Sequence, residues 1–166
     1  MILSTESKRV DIFVGYKASI GPCPECGTDC PLHDHSPGRV WRHLETIQFT
    51  SYLNCEPPRG CCSQHGTKTL QLPWALKHFR FTLLFETLAI KVIQASHSDQ
   101  EATNLLGIGW HSLQTIMKRA VERGLQRRTN EEIAWLGMDE KSFRKGHDYI
   151  SVTMHLSNSK AWQMQN

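Results

Sequence analysis

Two short cysteine and histidine motifs constrain the fold of this chain more than any other feature of its sequence. They read Cys23-Pro-Glu-Cys26-Gly27 and Cys62-Ser-Gln-His65-Gly66, so each places two potential ligands two residues apart and follows them with a glycine. Three thiolates and one imidazole form a tetrahedral set suited to zinc, and two such knuckles joined by a hairpin are typical of a zinc ribbon. Because four protein ligands leave no open coordination position, this zinc is predicted to be structural.

The alternative is that these cysteines are small buried thiols in loops, which does not explain two similarly spaced pairs. Several neighbouring side chains are spare candidates, for which a packed or exposed position is the simpler interpretation: Cys30, His33, His35, Cys55 and Cys61. All six cysteines lie between positions 23 and 62. Since thiols stay reduced in the cytoplasm, metal binding explains this clustering better than disulfides do.

The sequence carries no sign of secretion or of a membrane span. It has no run of 18 apolar residues, and its first ten residues lack the apolar core and cleavage site of a signal peptide. We therefore expect a cytoplasmic protein, associated with the nucleoid. The composition is that of an ordinary globular protein, and a formal net charge of +3 says little about nucleic acid by itself.

The chain divides into three small parts with different patterns. Residues 1–72 hold six of the seven prolines, which favours turns and short strands. The alternation from Ile47 to Leu53 predicts a half-buried strand within a small β-hairpin or three-stranded unit. Residues 73–130 have a helical period, and residues 131–166 return to strand-like patterns. The predicted fold class is therefore mixed α/β, with several domains.

The helical period begins after Pro73. Its apolar positions predict a helix from about Trp74 or His78 to Ala95, with one face formed by Phe81, Leu84, Phe85, Leu88, Ala89, Val92 and Ile93. Next, Ser98-Asp-Gln-Glu101 has the form of a capping box, in which the Glu101 carboxylate reaches back to the backbone N–H of Ser98. The helix that it starts is expected to end near Leu106.

Gly107-Ile108-Gly109 separates this short helix from a longer one, predicted from Trp110 to Gln126. Its apolar face consists of Leu113, Ile116, Met117, Ala120 and Val121, and Trp110 is expected in the core or as a hydrophobic staple. Two helices around such a break match a helix-turn-helix, in which the first helix braces the second for insertion into the DNA major groove.

The polar face of the second helix carries the candidate DNA contacts. These are His111, Gln114, Thr115, Lys118 and Arg119. A glutamine at such a position can read adenine, while the two basic side chains neutralise phosphate. Residues 110–128 contain five basic side chains and one acidic side chain, which favours this interpretation. The alternative is the solvated face of an ordinary three-helix bundle.

The third part contains a motif around Asp139. It runs from Gly137 to His147 between two predicted strands, Ile133 to Met138 and Tyr149 to Met154. An aspartate at a strand end can hold a catalytic metal, but phosphoryl chemistry needs several carboxylates around the ions, and 27 residues follow Asp139. From spacing alone, a solvated strand-end residue is the competing interpretation.

Taken together, these motifs resemble the ISL3 type of bacterial insertion-sequence transposases, the IS204/IS1001/IS1165 group. The resemblance spans nearly the whole chain from Cys23 onward. It is carried by the two knuckles and by Trp41-Arg42-His43-Leu44-Glu45-Thr46, Pro73-Trp74-Ala75, Arg80-Phe81-Thr82, Leu105-Leu106-Gly107-Ile108 and Asp139-Glu140-Lys141-Ser142-Phe143-Arg144-Lys145-Gly146-His147.

The resemblance implies a zinc-binding domain in residues 1–72, a helix-turn-helix region in residues 73–130 that recognises element ends, and the start of an RNase H-like catalytic domain in residues 131–166. Asp139 matches the first acid of a DDE set. In the full-length family these acids hold two Mg²⁺ ions that drive DNA cleavage and strand transfer. One such acid cannot form that clamp, so we expect a C-terminally truncated transposase that binds DNA and is inactive alone.

Other hypotheses remain open at this stage. The chain could repress transposition by occupying the terminal inverted repeats of the element or by pairing with itself or a full-length transposase. A second reading frame could supply the remaining acids. A zinc-ribbon regulator unrelated to transposition is a more remote alternative.

Overall fold

The computed structural model describes residues 1–128, 135–144, 148–155 and 160–165. The chain divides into two compact units, Met1–Arg123 and Gly124–Asn166. None of the described helices is long and apolar enough to cross a membrane.

The first part of the larger unit contains eight short strands. They are β1 (Ile2–Ser4), β2 (Arg9–Phe13), β3 (Ile20–Pro22), β4 (Asp29–His35), β5 (Arg39–Arg42), β6 (Thr50–Cys55), β7 (Pro58–Cys62) and β8 (Gly66–Thr69). One sheet has the order β1-β2-β6-β5 and the other has the order β3-β4-β7-β8. All neighbouring strands are antiparallel except β2 and β6, which are parallel. The predicted hairpin or three-stranded unit was therefore too small.

The strand predicted from Ile47 to Leu53 is displaced along the chain. Strand β6 begins at Thr50, and its alternation buries Ser51, Leu53 and Cys55. Ile47 instead lies in a turn, where it has a φ of 60° and is 92% exposed. Backbone hydrogen bonds in both directions between Thr46 and Phe49 close this turn and prevent the strand from starting earlier.

Three helices follow the strands: α1 (Leu83–Ala95), α2 (Asp99–Leu106) and α3 (Trp110–Gln126). The last three residues of α3 fall in the range of the smaller unit. The predicted start of α1 at Trp74 or His78 is wrong. His78 has a φ of 61°, which no right-handed helix accommodates, and the Thr82 hydroxyl caps the helix by accepting from the Phe85 N–H. The predicted end of α1 and both ends of α3 are confirmed.

The capping chemistry of α2 largely follows the prediction. The Ser98 hydroxyl accepts from the Glu101 N–H, and Gly107 ends the helix in the left-handed conformation with a φ of 58°. The Glu101 carboxylate, however, accepts from the N–H of His97 at 2.9 Å, one residue before the expected Ser98.

The core of the helical region combines all three helices with the segment that precedes α1. It contains Phe79, Phe85, Ala89, Ala102, Leu106, Leu113 and Ile116. Three members of the predicted apolar faces are exposed to solvent: Leu84, Leu88 and Val121 are 58%, 39% and 59% exposed. A second cluster, around Trp41 and the edge of the Trp74 ring, links β5 to the residues before the helices.

The smaller unit contains a three-stranded antiparallel sheet. Its strands are β9 (Leu136–Arg144), β10 (Asp148–His155) and β11 (Lys160–Gln165), in the order β11-β10-β9. The strand predicted from Tyr149 to Met154 is confirmed by β10. The strand predicted to end at Met138 instead continues through Asp139 to Arg144, so Asp139 lies within β9 and not at a strand end. Ile133 and residues 145–147 lie outside the described residues. The RNase H-like assignment of this sheet stays a prediction.

Candidate metal centre and nucleic-acid interface

The two knuckles meet at the end of the second sheet. The first follows β3 and is closed by backbone hydrogen bonds from Gly27 N to Cys23 O and from Cys23 N to Thr28 O, both 2.8 Å long. The second knuckle joins β7 to β8. Both glycines have a positive φ, 74° at Gly27 and 67° at Gly66, which explains why glycine follows each ligand pair.

The four predicted ligand side chains come together. One ligand atom from each of Cys23, Cys26, Cys62 and His65 lies within 4.8 Å of the other three. The Sγ atoms of Cys26 and Cys62 are 3.7 Å apart, and His65 Nδ1 lies 3.6 Å from Cys62 Sγ and 3.8 Å from Cys23 Sγ. Tetrahedral zinc with ordinary bond lengths separates its sulfur and nitrogen ligands by about 3.6 to 3.8 Å. The geometry therefore supports a structural zinc.

Two of the three thiols in the cluster have a pKa below the ordinary value for cysteine, which favours metal binding. Backbone hydrogen bonds from Gln64 and His65 lower the pKa of Cys62 to about 6, and hydrogen bonding to Thr28 lowers the pKa of Cys26. Zinc binds thiolates, so these effects reduce the cost of losing the thiol protons. The hydrogen bond to Cys62 raises the pKa of His65, because an imidazolium is favoured beside a thiolate.

Cys30 lies beside the cluster without joining it. Its side chain is buried with Cys23 and Cys62, and its Sγ donates to the carbonyl oxygen of Thr28 at 3.2 Å. Burial raises the pKa of Cys30 to about 11, which favours a neutral packed thiol. The other spare candidates are outside the described ligand group too: Cys61 is exposed, and Cys55 packs with Trp41.

Sequence reasoning missed the role of Glu25 inside the first knuckle. Its Oε2 lies 3.8 Å from His65 Nε2, and its Oε1 forms a 2.8 Å ion pair with Lys68 Nζ. A carboxylate behind a metal-binding imidazole fixes the orientation of the ring, although 3.8 Å is longer than a direct hydrogen bond. The first knuckle thus supplies two ligands, Cys23 and Cys26, and also the Glu25 carboxylate, which faces the fourth ligand, His65.

The predicted DNA contacts on α3 fall into two groups. His111, Thr115 and Lys118 are exposed. Gln114 donates from its side-chain amide to Asp99 Oδ2 at 2.8 Å, which ties α3 to α2. Arg119 lies over the Phe79 ring, 3.9 Å from its centroid, and its side chain is only 23% exposed. The first group is open to solvent, and within it the Thr115 hydroxyl donates to the carbonyl oxygen of His111 at 2.8 Å.

Trp110 departs from its expected place in the core. It is 55% exposed, and its ring meets the edge of the His111 ring with the centroids 5.4 Å apart. An exposed aromatic ring at the start of α3 adds to the surface formed by His111, Thr115 and Lys118.

A buried glutamate on α1 faces two arginines of α3, an interaction that the sequence did not predict. Glu86 on α1 is 2% exposed, and its Oε1 lies 2.8 Å from Arg123 Nη1 and 3.8 Å from Arg119 Nε. Neither Glu86 oxygen has a hydrogen-bond donor in the described part of the chain, so charge attraction alone links these groups. Arg119 and Arg123 therefore support the position of α3.

Arg42 connects strands β3 to β8, which we call the ribbon, to the helix-turn-helix formed by α2 and α3. From the end of β5, its Nη1 donates to the carbonyl oxygen of Gly107 at 2.7 Å, and its guanidinium lies over the Phe85 ring. Its backbone N–H donates to Arg80 O, and its carbonyl accepts from the Thr82 N–H. The turn between α2 and α3 is thus attached directly to a strand of the ribbon.

Asp139 lies in β9, where it is exposed and pairs with Val152 of β10. Among the described residues, the only gathered group of metal-binding side chains is the four-residue knuckle cluster. The proposed catalytic role of Asp139 therefore rests on the sequence motif.

Comparison with known proteins finds a match for the zinc-binding region and another for the helix-turn-helix region. The model of the helix-turn-helix domain of transposase family ISL3 matches residues 70–121. The model of the zinc finger of transposases IS204/IS1001/IS1096/IS1165 matches residues 21–65. The transposase for insertion sequence element IS1001 of Bordetella parapertussis is 26% identical over 149 residues, which are 89% of this chain and 36% of that protein.

The chain thus spans about a third of the length of this relative. No solved structure matches it. Since two family-specific domains occur in the expected order, and the zinc-finger match contains a gathered set of zinc-binding side chains, the chain belongs to the ISL3 family of transposases.

Proposed function

We propose that this chain recognises the ends of an insertion sequence by placing α3 in the major groove of duplex DNA. The observation that carries the proposal is the free surface of α3, where His111, Thr115 and Lys118 are exposed while the opposite face is buried. The order α2, Gly107 turn, α3 matches the way a helix-turn-helix presents its second helix. In this proposal His111 and Thr115 contact base edges and Lys118 contacts phosphate.

Gln114 enters the proposal in a different role. Its amide is already bonded to Asp99, so reading a base requires exchange of that hydrogen bond. Arg119 packs on Phe79 and faces Glu86, and we assign it to positioning α3.

The test is a mobility-shift titration with a duplex carrying the element's terminal inverted repeat and a scrambled duplex of equal length and composition. Tighter binding to the repeat is expected, by a factor on the order of a thousand for a specific site. Lys118→Gln should weaken both complexes, while Lys91→Gln, which changes an exposed lysine on α1, serves as the matched control. Equal affinity for the two duplexes would overturn the claim of specific recognition.

We propose further that Cys23, Cys26, Cys62 and His65 are the zinc ligands. Metal analysis of the purified protein should find about one zinc per chain, bound without an open position. Cys62→Ser should lose the metal, whereas Cys61→Ser, which alters the adjacent exposed thiol, should keep it. Retention of full zinc by the Cys62 variant would refute this ligand set.

For the catalytic part, we propose Asp139 as the first acid of a DDE set that holds Mg²⁺ in the complete enzyme. Phosphodiester cleavage by two metal ions needs several carboxylates. This chain should therefore bind labelled element ends without nicking them in Mg²⁺. If nicking does occur, its survival in an Asp139→Asn variant would exclude the assigned role.

Binding without cleavage also supports a second candidate function, inhibition of transposition by occupying the ends. The observation that favours it is that residues 21–65 and 70–121 match the zinc finger and the helix-turn-helix domain of such transposases, the parts proposed here to bind DNA. Co-expression with a complete transposase should lower transposition frequency, and the Lys118→Gln variant should lower it less. An unchanged frequency would remove this candidate.

A further inference from the structure

The segment between the ribbon and α1 presents three exposed basic side chains, Lys77, His78 and Arg80. We call residues 77–80 the basic loop. The residue between them, Phe79, is 6% exposed and belongs to the helical core. The buried Phe79 ring thus anchors the loop to the protein, while the basic side chains on either side of it are open to solvent.

The backbone of the basic loop is fixed from several sides. Phe79 N–H donates to Leu76 O at 3.2 Å, and Phe79 O accepts from Arg39 Nη2 at 3.2 Å. Arg80 O accepts from the Arg42 N–H at 2.9 Å, which attaches the loop to β5. A loop held in this way presents its cations without a large loss of backbone entropy on binding.

The basic loop lies beside the helix proposed to enter DNA. Arg119 of α3 covers the Phe79 ring at 3.9 Å, and Arg119 follows Lys118 directly in the helix. This contact seats the loop against the supporting side of α3 in its second half, and the exposed side chains on either side of Phe79 border that part of the helix. In helix-turn-helix complexes, segments next to the groove-bound helix contact the sugar-phosphate backbone.

Few acidic side chains lie close to the three basic side chains of the loop. In the described part of the chain, no salt bridge within 4.0 Å includes Lys77, His78 or Arg80. Glu25 interacts with Lys77 at longer range, but its short ion pair is with Lys68. The carboxylate of Glu86 is buried and faces Arg119 and Arg123.

We infer that the basic loop is a second DNA contact of this chain, which binds phosphodiester groups flanking the α3 site regardless of base sequence. The inference rests on the proposed DNA binding and adds a site outside α3. In this arrangement α3 reads the bases, while the basic loop adds affinity and fixes the position of the protein along the duplex. A solvated loop with no ligand is the competing interpretation, and salt dependence separates the two.

The experiment compares wild type with a Lys77→Gln and Arg80→Gln double variant on the inverted-repeat and scrambled duplexes over a series of KCl concentrations. Losing two phosphate contacts should lower the slope of log affinity against log salt by about 1.8, and should weaken binding about 60-fold at 0.1 M salt. Both duplexes should lose affinity equally, so the specificity ratio should stay constant.

A Lys17→Gln and Lys91→Gln double variant removes the same charge from exposed lysines elsewhere, and its slope should be close to that of wild type. Zinc content and circular dichroism check folding, and the single variants Lys77→Gln and Arg80→Gln provide the same test if the double variant misfolds. Failure of wild type to bind either duplex would refute the proposed function itself. Wild-type binding with unchanged slopes in the loop variants would refute only the basic loop.

Discussion

The ribbon and the helical region of the larger unit are stabilised by different means. The buried centre of the ribbon next to the knuckles consists of three thiols, Cys23, Cys30 and Cys62. The helical region buries phenylalanine, leucine and isoleucine side chains from three helices and the segment before them. The ribbon therefore depends on a metal ion in addition to the small cluster around Trp41, whereas the helical region depends on apolar packing alone. Each region should thus fail under a treatment that the other resists.

The largest expected effect is the loss of the ribbon when zinc is removed. Zinc binding to such small units contributes on the order of 10 kcal/mol to folding. Chelation, or the Cys62→Ser substitution, should expose the amides of β3 to β8 to hydrogen exchange while those of α1 to α3 stay protected. Mass spectrometry of the exchanged peptides measures this, with Cys61→Ser as the control. Equal loss of protection in both regions would show that they fold as one.

The converse prediction breaks the helical region and spares the metal. Leu113 is fully buried between the helices, so Leu113→Ala should cost about 2–5 kcal/mol. Urea unfolding followed by the helical signal at 222 nm measures the loss, and zinc content should remain at the wild-type level. Leu105→Ala, at a position that is 67% exposed, is the matched control and should change stability by less than about 0.5 kcal/mol.

The link between the regions can be tested through Arg42. Arg42→Met removes the hydrogen bond to Gly107 and the guanidinium over Phe85, which together should cost the helices about 1–2 kcal/mol. In wild type, chelation should lower the urea midpoint of the helical region, and in the variant this dependence should shrink. Arg59→Met, which breaks an ion pair with Asp34 within the ribbon, is the control. A dependence on zinc that is identical in all three proteins would argue against the link.

The smallest expected effect is a pH dependence at the same boundary. His43 Nδ1 lies 2.9 Å from the Thr82 hydroxyl that caps α1, and burial lowers the pKa of His43. The folded protein thus favours neutral His43, so below about pH 6.5 the unfolded chain binds more protons at this residue. Stability should fall as pH drops from 6.5 through the lowered folded pKa.

Urea midpoints between pH 7.5 and 5 measure this effect. His43→Gln should reduce the fall in stability, whereas His35→Gln, which changes an exposed histidine, should not. An equal pH dependence in wild type and both variants would assign the effect to other groups.

The features predicted well are those encoded over a few residues. Knuckle spacing brings Cys23 and Cys26 together within one turn, and the Ser98 cap and the left-handed Gly107 bound α2 by local hydrogen bonding. The same holds for the ends of α3. These interactions need no distant partner, so the sequence pattern contains most of the information.

What was missed depends on distant partners. The start of α1 follows from the pairing of residues 80–82 with Arg42, which replaces a helical turn by extended backbone. Glu86 looks like an ordinary first-turn acid, and only the approach of α3 brings Arg119 and Arg123 to it. The same packing moves Arg119 from the predicted DNA face to a supporting position.

The parallel pairing of β2 with β6 has a consequence for the order of folding. Val10 pairs with Ser51, so this sheet cannot form until residues about forty positions apart have met. The zinc knuckles, at Cys23 and Cys62, close a loop of similar length that overlaps the first. Either closure shortens the chain that the other must restrict, since the entropy of loop closure rises with loop length. Metal captured early during synthesis would therefore accelerate the pairing of β2 with β6, giving zinc a kinetic influence on a sheet that supplies none of its ligands.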